Sequence, residues 1–494
     1  MDDYEKKDDR ISIDPITRLE GHGKIDIFLD ENKEVDKAYL QVPEFKGFEK
    51  FCEGRRAEDM PNITNRICGV CPEAHHLAST KALDDAYGVE PPEPAKKLRE
   101  LFYNAYIFAD HILHFYYLAS PDFLVGADAP KESRNILGVI DKVGEDIGKK
   151  VIRQRGNGQK IVRMLAGKSV HPAFGVPGGV MNSLSSEQRE DLQDMTRDMV
   201  EFAEFTIDLF KDEVLSKYGD VIKEDRLETY SMGLVHEGKL SHTEGEVKVK
   251  GPAGDDFVSF ENSEYEDVIR EHKESWSYMK FPYLKDIGWQ GFEEGEKSGI
   301  YKVGTLARFN VAEGMKTEKA QKEYEEMVDE LGKPVHSTLA YHWARLIEVL
   351  QAAELLDELA QDEDLESENI RNEPGEPGRG VGIVEAARGT LIHDYKIDED
   401  GLIEKANLIV ATNHNASAIS MSVGDAARKY IDGGNIEEGM LNSVERAFRA
   451  YDPCLACATH SAMGDTPLKV NLYDDEGKKV NELSQGLSDG DDTE

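Results

Sequence analysis

The chain opens on an alternating pattern. In KIDIFLD, Ile25, Ile27 and Leu29 point to one side, Glu31-Asn32-Lys33 makes a polar turn, and KAYLQV resumes the alternation. Period two on both sides of a short polar turn predicts a β hairpin. The period then lengthens. LASTKALDDAYGV (77–89) predicts a helix, and EPAKKLRELFYNAYIFADHILHFYYLAS (93–120) a much longer and more apolar one. His111 and His114 share a face of it. Set among Phe108, Phe115 and Tyr116, they read as hydrogen-bonded core rather than as metal ligands. Residues 185–217 carry Leu192, Met195, Met199, Phe202, Phe205 and Leu209 at helical spacing, a stripe that predicts core packing.

Between about 218 and 310 the pattern breaks into short strand-like runs separated by glycine, such as GEVKVKG at 245–251. It reads as a strand-rich insertion beside a helical body. From Thr317 a pair of helices is predicted, split at Gly332-Lys333-Pro334, because proline cannot continue the hydrogen-bond ladder. The acid-, glycine- and proline-rich stretch 361–379 predicts a surface loop. VGIVEAARGTLIHDYKI and LIEKANLIVATNHN then predict paired strands, followed by helix up to Asp452. The sum is a mixed α+β chain of long helices, with strands in its N-terminal and late segments. Its expected segments are 1–60, 61–217, 218–310, 311–360, 361–379, 380–460 and 461–494.

Charge changes this picture at the surface. The 494 residues include 98 acidic against 59 basic ones, a net charge of −39, which repels nucleic acid and anionic membranes. Such a surface suits molar salt, where a Debye length of about 3 Å makes self-repulsion tolerable. Hydrophobic residues make up 39%, enough for a sizeable core. No run of eighteen apolar residues occurs, and MDDYEKKDDR is too polar for a signal peptide, so a soluble subunit is expected.

The candidate chemistry lies in five cysteines. Four form two CxxC pairs, Cys68/Cys71 and Cys454/Cys457, near opposite ends of the chain, and Cys52 stands alone. So few cysteines build no disulfide framework and point to a reducing compartment. Soft thiolates from two pairs select nickel, iron, zinc or copper(I). Structural zinc sites usually carry both pairs on one short segment, roughly fifteen to twenty residues apart. Spacing alone leaves redox metal, structural zinc and dithiol chemistry open.

The letters around the pairs narrow the choice. RICGVCPEAHH and DPCLACATH resemble the two signature motifs of the large, catalytic subunit of nickel-iron hydrogenases. Family blocks recur in order between them: DPITRLEGHGKI at 14–25, KGFEKF at 46–51, HPAFGVPGG at 171–179, ARGTL at 387–391 and VATNHN at 410–415. Within the family, HILHFYYLASPDF, MKFPYLKDIG, YHWARLIE and GVGIVEA are most similar to the cytoplasmic, deazaflavin-non-reducing hydrogenases of methanogenic archaea.

The resemblance implies a site. Cys68, Cys71, Cys454 and Cys457 would bind nickel, with Cys71 and Cys457 bridging to an iron that carries carbon monoxide and cyanide. Cys454 would be the first proton acceptor and Glu20 the next. Arg388 would stand over the open metal face, next to Ala387, where relatives usually have proline. Thr412 would hydrogen-bond a cyanide, and Asp122 and Asp452 would be carboxylates of the same canopy. Glu49, the carbonyl of Leu408 and His460 would hold a magnesium-type ion, with Lys46 in place of the usual arginine.

The resemblance also implies partners, since Cys52 alone is left over and cannot hold iron-sulfur clusters. They are a small iron-sulfur subunit, heterodisulfide reductase and an electron-transfer subunit. A maturation protease would remove 461–494 after His460, a tail ending in the acidic GLSDGDDTE, expected to be disordered. The alternatives are coupling to deazaflavin, NADP or sulfur, or a hydrogen sensor.

Overall fold

The structure, a computed structural model, describes residues 10–42, 44, 46–274, 276–431, 437–459, 468–473 and 479–485. The predicted hairpin is present with one strand more. β1 (Arg10–Ile13), β2 (Lys24–Leu29) and β3 (Val35–Gln41) form an antiparallel sheet in chain order. Ile25 and Ile27 are fully buried, as alternation on a half-covered sheet requires. The four residues of β1 are too few to carry a periodic signal.

α1 begins at Pro72 and runs to Ala86, earlier than the apolar pattern places it. Proline is preorganised for a first helical turn. The residues that hid this turn, Glu73, His75 and His76, are polar yet buried. α2 (Glu93–Leu113) is the central helix, with every residue from Leu101 to Ile112 buried. A helix buried all round lies inside a body rather than on it. It continues through two wide π-helical turns, His114–Ala119 and Pro121–Gly126. His111 and His114 are hydrogen-bonded core residues as expected: His111 pairs with Glu348 at 3.1 Å, and His114 donates to the Arg449 carbonyl at 2.9 Å.

α3 (Glu145–Ala166) packs on α2. α4 (Ser186–Phe210) is fixed at its start by a capping box between Ser185 and Gln188. Of its predicted stripe, Leu192, Met199 and Phe202 are buried, and Met195, Phe205 and Leu209 pack half-buried against the core. The strand-rich segment is narrower than 218–310, because Ser216–Glu224 and α5 (Thr305–Val311) at its ends are helical. Between them β4 (Tyr230–His236), β5 (Glu246–Lys250) and β6 (Asp256–Phe260) build most of a five-stranded sheet over their own apolar cluster.

α6 (Glu318–Leu331) and α7 (Tyr341–Ala360) flank the expected break, and α7 packs on both α2 and α4. β7 (Arg379–Ala386), β8 (Gly389–Ile397) and β9 (Ile403–Ile409) form the predicted late sheet. α1 lies directly across β7, and two glycines allow it. A Cβ on Gly382 would sit 2.1 Å from the Ala78 carbonyl oxygen, and one on Gly380 2.2 Å from the Ala86 nitrogen. α8 (Glu438–Ala450) leads to the second cysteine pair.

Among the named strands only Tyr301–Lys302 runs parallel to its neighbour, so the fold is α+β. No described helix is long and apolar enough to cross a membrane. Leu468–Tyr473 and Lys479–Gln485 pair antiparallel, while His460 and the terminal GLSDGDDTE lie outside the described residues.

Candidate metal centre

Each cysteine pair sits in a tight turn at the end of a helix. Cys71 occupies the N-cap of α1, where unpaired amides and the helix dipole favour an anionic sulfur. Cys68 Sγ accepts the amides of Val70 and Cys71 at 3.2 and 3.4 Å. The second pair follows α8, with a single 3-10 turn over Leu455–Cys457.

The fold brings all four sulfurs within 4.8 Å of one another, and all four residues are buried. Cys454 lies 2.8 Å from Cys457 and 3.2 Å from Cys68, and Cys71 lies 3.6 Å from Cys457. Four sulfurs sharing one ion at bonds of about 2.3 Å would stand roughly 3 to 4.6 Å apart, a range that the Cys68–Cys454 and Cys71–Cys457 spacings meet and the 2.8 Å Cys454–Cys457 spacing narrowly misses. Without a cation the charges conflict. Burial pushes Cys454 and Cys457 well above the usual thiol range, while hydrogen bonding, chiefly to Cys454, holds Cys68 well below it. A buried cation resolves this by holding all four as thiolates.

Glu20 reaches this cluster from the N-terminal turn. Its Oε2 lies 3.0 Å from Cys454 Sγ and accepts the Ala456 amide at 3.2 Å, while its carbonyl accepts the Leu455 amide at 3.0 Å. Burial, reinforced by Cys68, raises its carboxyl above the ordinary range. Gly21 permits this approach, since a Cβ there would lie 2.7 Å from the Ala456 nitrogen, and its φ of +85° favours glycine.

Arg388 faces the second pair from the β7–β8 turn. Its guanidinium makes a two-pronged contact with Asp110, at 3.0 and 3.1 Å, and a third bond to Asp452 at 3.1 Å. Burial works against its charge, but Asp110 and Asp452 hold it cationic. Asp452 has a φ of +54°, a left-handed backbone that turns the chain from α8 into the cysteine loop. Burial pushes its carboxyl up to about 7.

Residues 46–136 and 150–460 match the family described as nickel-dependent hydrogenase, and residues 10–45 a HoxL-like one. The chain belongs to the nickel-dependent hydrogenase family. It is 45% identical over 479 residues to an F420-non-reducing hydrogenase iron-sulfur subunit of Archaeoglobus profundus, spanning 95% of this chain and 98% of that one. It is 38% identical over 494 residues to the "NAD-reducing hydrogenase HoxS subunit beta" of Cupriavidus necator, spanning 96% and 99%. The crystal structure of an NAD+-reducing [NiFe]-hydrogenase in the H2-reduced state superposes with a TM-score of 0.87 at 38% identity, covering 91% of this chain and 99% of that one. The chain is thus the catalytic large subunit of a nickel-iron hydrogenase.

Thr412, Ala387, Glu49, Leu408 and Asp122 are the other expected site residues among those described. Thr412 Oγ1 accepts the Cys454 amide at 2.9 Å, which leaves its own proton to donate. Ala387 is buried, with its amide 3.2 Å from the Tyr106 hydroxyl. Behind it Arg308 donates to the Ala386 carbonyl at 2.9 Å and pairs with Glu385 and Glu348 at 2.7 Å each. Glu49 accepts the Leu408 amide at 3.0 Å, so two of the three expected ligands of a second ion adjoin, and the third, His460, lies outside the described residues.

Asp122 does not join the canopy contacts. Its oxygens accept from Arg18, from Arg449 at 2.8 Å and from Asn442 at 3.0 Å. The carboxylate that pairs with Arg388 beside Asp452 is Asp110, which sequence reasoning missed. A small cavity of about 80 Å³ reaches Asp110 from the first cysteine loop, lined also by Gly69, Val70, Glu73 and Arg155.

Proposed function

We propose that Cys68, Cys71, Cys454 and Cys457 would together hold a nickel-iron centre whose iron carries carbon monoxide and cyanide. When bound, that centre supplies the electrophilic metal on which dihydrogen is polarised and cleaved heterolytically to protons and electrons. The observation that most supports this reading is the convergence of four buried sulfurs within 4.8 Å, with Glu20 on Cys454.

The protein groups then divide the work. Cys454 takes the first proton, and Glu20, whose Oε2 lies 3.0 Å from its sulfur, passes it outward. Arg388, held cationic by Asp110 and Asp452, stabilises charge as the substrate bond is polarised. Thr412, whose hydroxyl proton is left to donate, would hydrogen-bond a cyanide of that centre, and Ala387 would line the same wall. Glu49, the Leu408 carbonyl and His460 hold a magnesium-type ion, whose hard oxygen ligands suit it.

Electrons leave through a small iron-sulfur subunit, because this chain has only Cys52 beyond the four cysteines. Heterodisulfide reductase and an electron-transfer subunit follow in a cytoplasmic assembly, in line with the likeness to F420-non-reducing relatives. Residues 461–494 form an extension that a maturation protease removes after His460. A second reading, coupling to a nicotinamide, is favoured by the 38% identity to an NAD-reducing enzyme.

The test is hydrogen-dependent dye reduction by the chain copurified with its partners, followed by replacement of the dye with heterodisulfide reductase, deazaflavin, NAD or NADP. Dye reduction with heterodisulfide reductase alone as the natural acceptor supports the first reading. Direct reduction of a nicotinamide supports the second.

A further inference from the structure

The arginine cluster around Asp122 has no part in the steps above, yet it joins the two segments that those steps bring together. Asp122 sits in the π-helical turn Pro121–Gly126 and is fully buried. One oxygen takes Arg18 and Asn442, and the other takes Arg449. Arg449 in turn donates through Nε to the Thr17 carbonyl at 3.2 Å and through Nη2 to the Thr17 hydroxyl at 3.1 Å. That hydroxyl donates to Glu445 at 3.0 Å, and Arg18 donates to the Leu118 carbonyl at 2.8 Å.

Thr17 and Arg18 stand just before Glu20, and Arg449 stands at the end of α8, just before Cys454. Arg18 has a φ of +56°, a left-handed conformation that its part-buried contacts to Leu118, Asp122 and Asn442 hold in place. The same end of α8 accepts His114 through the Arg449 carbonyl, and His114 lies 3.8 Å from Asp452. One buried carboxylate therefore ties the turn carrying Glu20 to the helix that presents the second cysteine pair.

We propose that Asp122 is a positioning residue: by clamping Arg18 and Arg449 it sets the approach of the Glu20 carboxyl to the Cys454 sulfur. This rests on the reading of Glu20 as the proton relay. Asp122 touches neither group, so it acts through its two arginines. Loss of one charge from a buried cluster of this kind leaves two guanidiniums short of a partner and relaxes the backbone they fix.

The experiment compares Asp122→Asn, Glu20→Gln and the double variant in the holoenzyme with its partner subunit. Three readouts are taken: nickel content, hydrogen-dependent dye reduction with its pH profile, and amide hydrogen exchange. Asp122→Asn is expected to keep its nickel, to exchange faster over residues 15–23 and 449–456, and to lose about tenfold in turnover with an altered pH profile. In the Glu20→Gln background it should add no further loss. Thr17→Val, a milder lesion in the same clamp, should move both readouts in the same direction if Asp122→Asn fails to fold.

Full turnover and unchanged exchange in both clamp variants, with Glu20→Gln slow, overturn the clamp alone. So does a loss that multiplies with that of Glu20→Gln. A Glu20→Gln holoenzyme with undiminished turnover overturns the relay on which the clamp rests.

Discussion

Glu20 Oε2 lies 3.0 Å from Cys454 Sγ, although 434 positions separate the two residues. The contact is fixed on both sides by backbone bonds, since the Glu20 carbonyl and carboxylate take the amides of Leu455 and Ala456. Glu20→Gln preserves the shape and an acceptor for Ala456 but cannot accept a proton. Turnover should fall about a hundred- to ten-thousand-fold, the usual worth of a positioned acid-base group, with nickel content unchanged. Dye reduction at constant metal loading checks this, and an unaltered rate would remove Glu20 from the path.

Arg388 is held by two carboxylates in a planar, two-pronged geometry that lysine cannot reproduce. Arg388→Lys is therefore expected to retain the metals and lose about a hundredfold in rate. Asp110→Asn, which leaves the guanidinium with Asp452 alone, should lose less. Equal rates for both variants and the parent would show that this canopy is structural.

Lys302 is buried beside His336 with its ammonium donating to the Leu227 carbonyl, and burial lowers it from 10.5 to about 7. The folded chain then binds fewer protons than the unfolded one between pH 7 and 10.5, so this residue's contribution to stability rises with pH across that window. Lys302→Met should melt higher than the parent by the widest margin at and below pH 7, and the gap should close toward pH 10. Each tenfold change in proton affinity is worth about 1.4 kcal/mol, so the gap at low pH is a few kcal/mol. Paired thermal melts measure it, and a gap independent of pH contradicts the assignment.

A net charge of −39 repels itself strongly at low ionic strength. Raising potassium chloride from about 0.1 M to 1 M shortens the Debye length from about 10 Å to 3 Å and should raise the melting temperature. A melting temperature that is flat or falls with salt would count against a surface adapted to high salt.

The helices over Glu93–Leu113 and Ser186–Phe210, the N-terminal hairpin and the late sheet were legible from their apolar patterns and runs, whereas the helix Glu145–Ala166 was not anticipated. The two cysteine pairs announced themselves through rarity and neighbouring letters. Asp110 was not legible as a canopy residue, since its partner Arg388 is 278 positions away. A signal was present all the same: an aspartate within an otherwise apolar helix needs a buried partner. Asp122 looked equivalent in sequence. One π-helical turn, His114–Ala119, lies between them, and Asp122, inside the next, meets the arginine cluster instead of Arg388. The early start of α1 was hidden for a similar reason, because Glu73, His75 and His76 are polar yet buried, His75 against His393 and His76 against the Pro61 carbonyl, which periodicity does not register.

The central claim is that the four convergent cysteines hold nickel and iron. Elemental analysis with infrared spectroscopy on the anaerobically purified complex tests it most directly. Nickel bound to this subunit together with iron, and carbonyl and cyanide stretches that vanish in Cys457→Ser, are the predicted result. Zinc alone without those stretches would contradict it and return the four cysteines to a structural role.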